Sequence, residues 1–218
     1  MSPLDALPRT REYLATLPDG LDSYPDAQVK GSLGRAALDY RPADLDITRL
    51  PEELRWMLEH PPTPNQWVPE TRLLALMHAV RELAFDDDAG FLDWVSDALS
   101  ELFGNPMYRM LMAMASPHML ARQADRAWAR VRRGTVRELE ELGPNHNVGV
   151  LRYPPYLFDR LSMDIACTGV AVPYRMSRAK APEVRLVEWT PTYSRLLVVY
   201  DVTAENTEPA TGTGDAKP

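Results

Sequence analysis

The sequence points to an α+β fold in which an N-terminal helical layer packs on a four-stranded antiparallel sheet with one central helix. Glu183 to Trp189 and Ser194 to Val202 are rich in β-branched and aromatic residues and are separated by Thr190, Pro191, Thr192 and Tyr193, the pattern of an antiparallel hairpin. Asn147 to Tyr153 alternates Val148, Val150 and Arg152 with Gly149, Leu151 and Tyr153, and Pro154 and Pro155 stop it, which makes a third strand. Thr135 to Leu142 fits two periods. Val136, Leu139 and Leu142 recur at helical spacing, but Gly134 before them and Gly143, Pro144 and Asn145 after them bracket a strand that pairs with the next one. Tyr156 to Val172 puts Phe158, Leu161, Ile165 and Val172 on one side and Arg160, Asp164 and Thr168 on another, so the order is strand, strand, helix, strand, strand.

Residues 1–28 carry Pro3, Pro8, Pro18 and Pro25 and read as a Pro-rich arm, partly ordered, with a short helix around Arg9 to Leu17. Residues 29–202 then form one α+β domain, with a helical part at 29–133 and a sheet part at 134–202. Val29 to Tyr40 has helical spacing, and Leu50 to His60 is a short helix with Pro51 in its first turn. Pro69 to Phe85 shows Leu73, Leu76, Met77, Val80, Leu83 and Ala84 on one face. Asp87 or Asp88 caps the helix through Phe91, Val95, Ala98 and Leu102, which Gly104 ends. Asn105-Pro106 and Ser116-Pro117 each place a cap before a proline and open the last two helices of this part. Residues 203–218 have no large apolar side chain and read as a disordered tail.

Of 218 residues, 45% are hydrophobic, enough to bury a core, and the net charge of −7 argues against bulk electrostatic binding to nucleic acid or to an acidic membrane. Cys167 is the single cysteine, so no internal disulfide forms. No signal peptide and no membrane-spanning run is visible, and the cytoplasm is the expected location.

Several short phrases carry a family likeness: Lys30-Gly31-Ser32-Leu33, Trp67-Val68-Pro69-Glu70, Ser116-Pro117, Arg133-Gly134-Thr135 and Cys167-Thr168-Gly169. With helices first and the sheet unit last, residues 29 to 202 resemble bacterial 4-vinyl-reductase-like and haem nitric-oxide-binding sensor domains, including paralogous families of this type in myxobacteria. The resemblance implies a ligand-sensing role. It also implies cofactor motifs that this chain lacks. Metal-binding members carry cysteines in the final hairpin, whereas Glu183 to Val202 has none. Haem-binding members use a helix histidine with a Tyr-x-Ser-x-Arg pattern, whereas this chain has Tyr174, Ser177 and Arg178 at a different spacing. No cofactor is therefore expected.

His78 and Glu82 stand four apart on one helix, but a closed metal site needs two more donors, and no paired Cys or His spacing supplies them. His118 falls in the first turn of a helix and reads as exposed. Asp86, Asp87 and Asp88 are accounted for as a helix start, and Cys167 as a buried, inert thiol. No nucleophile elbow, phosphate loop or dinucleotide turn is present, so no catalytic residue is assigned.

Two features stand out. Met107, Met110, Met112, Met114 and Met119 crowd together, and Met107, Met110, Leu111 and Met114 with Trp128 are the candidate lining of a pocket for a small apolar ligand. Arg122, Arg126, Arg130 and Arg133 recur on one side of a helix and form a candidate docking face for an acidic protein partner. The leading expectation is a non-enzymatic ligand-sensing or protein-interaction domain. The alternatives are a haem- or metal-dependent sensor or enzyme using His78 or His118, and a structural module that forms a homodimer.

Overall fold

The structure, a computed structural model, describes residues 3–104 and 106–201. Its elements in chain order are α1 (Pro8–Ala15), β1 (Gln28–Lys30), α2 (Gly31–Asp39), α3 (Glu52–Glu59), β2 (Trp67–Pro69), α4 (Glu70–Ala84), α5 (Asp88–Leu102), α6 (Pro106–Met114), α7 (Pro117–Val131), β3 (Arg132–Arg133), β4 (Val136–Leu142), β5 (His146–Arg152), α8 (Arg160–Met176), β6 (Lys180–Trp189) and β7 (Tyr193–Asp201). The two expected hairpins form one antiparallel sheet in the order β4, β5, β7, β6. The central strand β5 buries every residue from Asn147 to Leu151, while β7 buries only alternate ones: Ser194, Leu196, Val198 and Tyr200. Part of the helical period in β4 has a local cause, although Val136 is exposed on the other face. A bulge between Leu139 and Glu141 shifts the register, so Arg137, Leu139 and Leu142 oppose Leu151, Gly149 and Asn147 and share one face.

A second, three-stranded sheet in the order β2, β1, β3 was not readable from alternation, because its strands are two or three residues long. It brings three of the family-like phrases together: Lys30 pairs with Trp67, and Gln28 pairs with both Pro69 and Arg133. Two cations lie over the Trp67 ring, the Lys30 ammonium 4.7 Å and the Arg133 guanidinium 3.9 Å from its centroid. Glycine is required at the crossing. A Cβ on Gly31 would lie 2.2 Å from the Thr63 carbonyl oxygen, and Gly134 has φ +69° against the Ala27 backbone.

Four expectations are corrected. Residues 3–28 do not form a loose arm: Leu7, Tyr13 and Leu17 are buried in the main core. The helix expected from Val29 begins at Gly31, because residues 28–30 are drawn into β1, and α1 packs before it. The sheet-packed helix begins at Arg160, not Tyr156, since Tyr156 has φ +60° and Asp159 caps the helix by accepting from the Ser162 N–H at 2.9 Å; the helix then continues past Pro173 to Met176. Finally, α4 is buried on more than one face, including Thr71, Leu74, Ala75, Leu76, Ala79 and Val80, and forms the centre of the helical layer. The tail at 203–218 lies outside the described residues.

One core runs from the helices into the sheet through Trp128, Leu151, Phe158, Met163 and Leu196. Cys167 packs against it, and burial, reinforced by the Asp164 carboxylate, pushes its thiol up to about 12. The thiol stays protonated and inert at neutral pH.

Candidate functional site

Met, Leu and Ala favour helix, and Pro106 suits the first turn, so α6 forms although none of its residues is buried. Its apolar positions fall at i, i+3, i+4 and i+7, which places Met107, Met110, Leu111 and Met114 along one stripe, and their side chains are 62%, 58%, 46% and 54% exposed. The stripe lines neither of the two best-defined clefts among the described residues. Trp128 is not part of it: that ring is buried in the core, its indole N–H donates to Thr135 Oγ1 at 3.1 Å, and the Arg132 guanidinium covers it at 4.1 Å. The expected pocket is therefore not assembled, because α6 turns its apolar side outward.

Ala115 and Ser116 join α6 to α7, and the Ala115 carbonyl accepts from the Arg178 N–H, which ties this turn to the end of α8. Ser116 caps α7 by accepting from the Met119 N–H at 3.2 Å. The buried side of α7 is Pro117, Ala121 and Trp128, with Leu120, Ala124 and Val131 half-buried beside it and Ala127 exposed. Asp125 also faces the sheet, binds the Arg137 guanidinium and accepts from the Leu139 N–H at 3.1 Å. Arg137 in turn lies over Gly149, where a Cβ would meet its guanidinium at 2.7 Å. The outward side carries Met119, Arg122, Arg126 and Arg130, all exposed. Arg133 does not extend this stripe, because the backbone leaves the helix at Arg132 and Arg133 is committed to Trp67.

Inside the molecule, polar groups from distant parts of the chain meet. His78 is buried on α4, its ring stacked on Tyr13 with centroids 4.7 Å apart, and its Nε2–H donates to Asp159 at 3.2 Å. Burial raises the Asp159 carboxyl, but the hydrogen bonds from His78 and Ser162 outweigh it and the net shift is downward. The Tyr13 hydroxyl donates to the Leu157 carbonyl at 2.9 Å, and burial, with the Asp159 and Glu70 carboxylates, raises its pKa. Glu70, fully buried, accepts from Arg132 at 2.8 Å through Oε1, while Oε2 has no partner among the described residues. Glu82 is no companion ligand to His78. It accepts from the Arg9 and Thr10 N–H groups and from the Thr10 hydroxyl, which satisfies the free donors at the start of α1. Asp87 caps α5, and Asp88 pairs with Arg81 and Arg9, so the aspartate run is structural. Sequence reasoning missed the contacts of Tyr13, Glu70, His78 and Glu82 because the partners lie 62 to 144 residues apart.

No protein-family model matches the sequence, and no curated protein is similar to it. Solved structures do match. The Fe(II) unliganded form of an H-NOX mutant from K. algicida superposes with a TM-score of 0.52 at 11% identity, over 82% of this chain and 100% of that one. An oxygen-binding H-NOX domain related to soluble guanylate cyclases, in its oxygen complex, gives 0.53 at 9% identity, over 83% and 97%. A third H-NOX structure, from a study of haem distortion, gives 0.53 at 8% identity over the same shares. The chain shares the H-NOX fold.

The two candidate histidines, His78 and His118, are held in ways that do not fit haem. His78 lies beneath the Tyr13 ring, 4% exposed, with Nε2 held by Asp159, and although its Nδ1 is without a partner among the described residues, neither of the two best-defined clefts reaches it. His118 is half-buried rather than exposed, with its Nε2–H given to the Gly143 carbonyl at 3.1 Å and its ring edge-on to Tyr200. The two best-defined clefts are open surface grooves, one between α2 and α5 around Arg35, Tyr40 and Glu101, the other around Tyr24, Asp26 and Gly134, and no histidine lines either. Among the described residues no cluster of His, Cys, Asp and Glu is arranged for a metal ion, and no helix is long and apolar enough to cross a membrane.

Proposed function

We propose that this chain is a non-enzymatic sensing or interaction domain of signalling or regulation, and that its working surface is the outer face of α6 and α7. A fold shared with an oxygen-binding domain related to soluble guanylate cyclases supports the regulatory role. The observation that carries the choice of surface is the exposed apolar stripe of Met110, Leu111 and Met114, followed in the chain by exposed Met119 and an exposed arginine face on α7. Folded chains rarely leave such stripes open to water unless something covers them.

A paired titration tests this reading. The apolar dye bis-ANS should bind the native chain and lose most of its fluorescence with the Met110→Asp/Met114→Asp variant, while the melting temperature is unchanged, since exposed substitutions usually stay within about 0.5 kcal/mol. Haemin added to the native chain should keep the absorbance of free haemin. A stoichiometric Soret shift that disappears in His78→Ala or His118→Ala would replace this reading with the haem sensor.

A further inference from the structure

We infer that the α6–α7 face takes an amphipathic helix of a partner protein, with its apolar side flanked by carboxylates. This rests on the reading of that face as an interaction surface and adds the chemistry of what binds there. The apolar part is long enough for such a guest: nine residues of α6 extend about 13 Å, matching two turns of a helix that anchors through i, i+3, i+4 and i+7. Methionine side chains adapt to the shape laid on them.

The charge pattern chooses the partner. Many arginines elsewhere on the surface meet carboxylates of their own chain, as Arg9 does with Asp88, Arg35 with Asp39, Arg72 with Asp22, Arg152 with Glu138 and Arg195 with Glu140, while Arg41, Arg49, Arg175 and Arg178 are exposed without an ion pair among the described residues. Arg109, Arg122, Arg126 and Arg130 are exposed and have no ion pair among the described residues, although acidic residues outnumber basic ones by 31 to 24. Three of these unpaired cations recur on α7, which follows the open apolar stripe of α6 after a two-residue turn, and carboxylates flanking an apolar helix would complete both. Other occupants fit less well. Two copies meeting stripe to stripe would bring their arginines together. Residues 203–218 offer no large apolar side chain. An anionic membrane would attract the arginines but repel a chain of net charge −7, whose Met-rich stripe also lacks Trp and Phe.

The test uses the full chain and two labelled synthetic helical peptides, both with Leu at i, i+3, i+4 and i+7, one flanked by Glu and its twin by Lys. By fluorescence anisotropy the Glu peptide should bind at least about tenfold more tightly than the Lys twin at low salt, and the ratio should shrink as salt is raised. Arg122→Glu/Arg126→Glu should invert the preference, and Met110→Asp/Met114→Asp should abolish binding of both peptides with the fold retained. Equal binding of the twins would overturn the acidic partner while leaving the interaction surface, reported by the dye, in place. Absence of any peptide binding alongside intact dye binding would overturn the helical guest. Co-sedimentation with phosphatidylserine vesicles without peptide binding would assign the face to membranes. A dimer by sedimentation equilibrium that Met110→Asp/Met114→Asp dissolves would assign it to a second copy.

Discussion

Replacing Arg132 with methionine is expected to lower folding stability by about 3–5 kcal/mol, because it leaves Glu70 as a buried carboxylate without its cation. Glu70 already has one oxygen without a partner among the described residues, so nothing nearby takes over. The Arg132 guanidinium also covers the Trp128 ring, and methionine keeps part of that apolar cover. Urea unfolding followed by circular dichroism measures the loss. Adding Glu70→Gln to Arg132→Met should restore much of it, since no charge then remains buried; two additive losses would mean that the pair is not coupled as the geometry indicates.

Tyr13→Ala is expected to cost about 3–5 kcal/mol, the range for deleting a buried aromatic side chain. The ring stacks on His78 and the hydroxyl binds the Leu157 carbonyl, so one residue holds α1 to α4 and to the turn before α8. Tyr13→Phe keeps the stack and removes only the hydrogen bond, for a loss of about 0.5–1.5 kcal/mol. Were residues 3–28 a loose arm, both variants would fall within about 0.5 kcal/mol of the native chain.

The helix starts were readable because each rests on a few adjacent residues: Asp87 caps α5 and Ser116 caps α7 where the residue types indicated. The two hairpins were readable for the same local reason, through alternation and turn residues. The first segment was misread through its prolines, although Thr10, Tyr13, Leu14 and Leu17 fall at i, i+3, i+4 and i+7 and carried the signal of a docked helix. Contacts between distant residues left no local trace. Nothing near His78 announces Asp159, and nothing near Glu70 announces Arg132, because both pairs are made by the packing of separate elements.

The candidate site was legible as residue types and not as a placement. Methionines at helical spacing and arginines at helical spacing each predict a face, but periodicity does not say whether a face turns inward. The apolar stripe of α6 turned out, and Trp128, one turn before the end of α7, turned in, where Asp125 is held by Arg137 and the Leu139 N–H. The three family-like phrases at Lys30, Trp67 and Arg133 were visible as words, while their junction in one small sheet depends on pairings across the chain.

Methionine oxidation tests the central claim most directly, because a thioether is oxidised by peroxide in proportion to its exposure. The native chain, dilute and without partners, is treated with hydrogen peroxide and followed by peptide mass spectrometry over time. Met110, Met114 and Met119 should be converted early, while Met163 and Met77, which are buried in the core, should remain reduced until the chain is unfolded. Protection of Met110 and Met114 to the level of Met163 under these conditions would place the stripe inside the molecule and contradict the assignment of the α6–α7 face as the working surface.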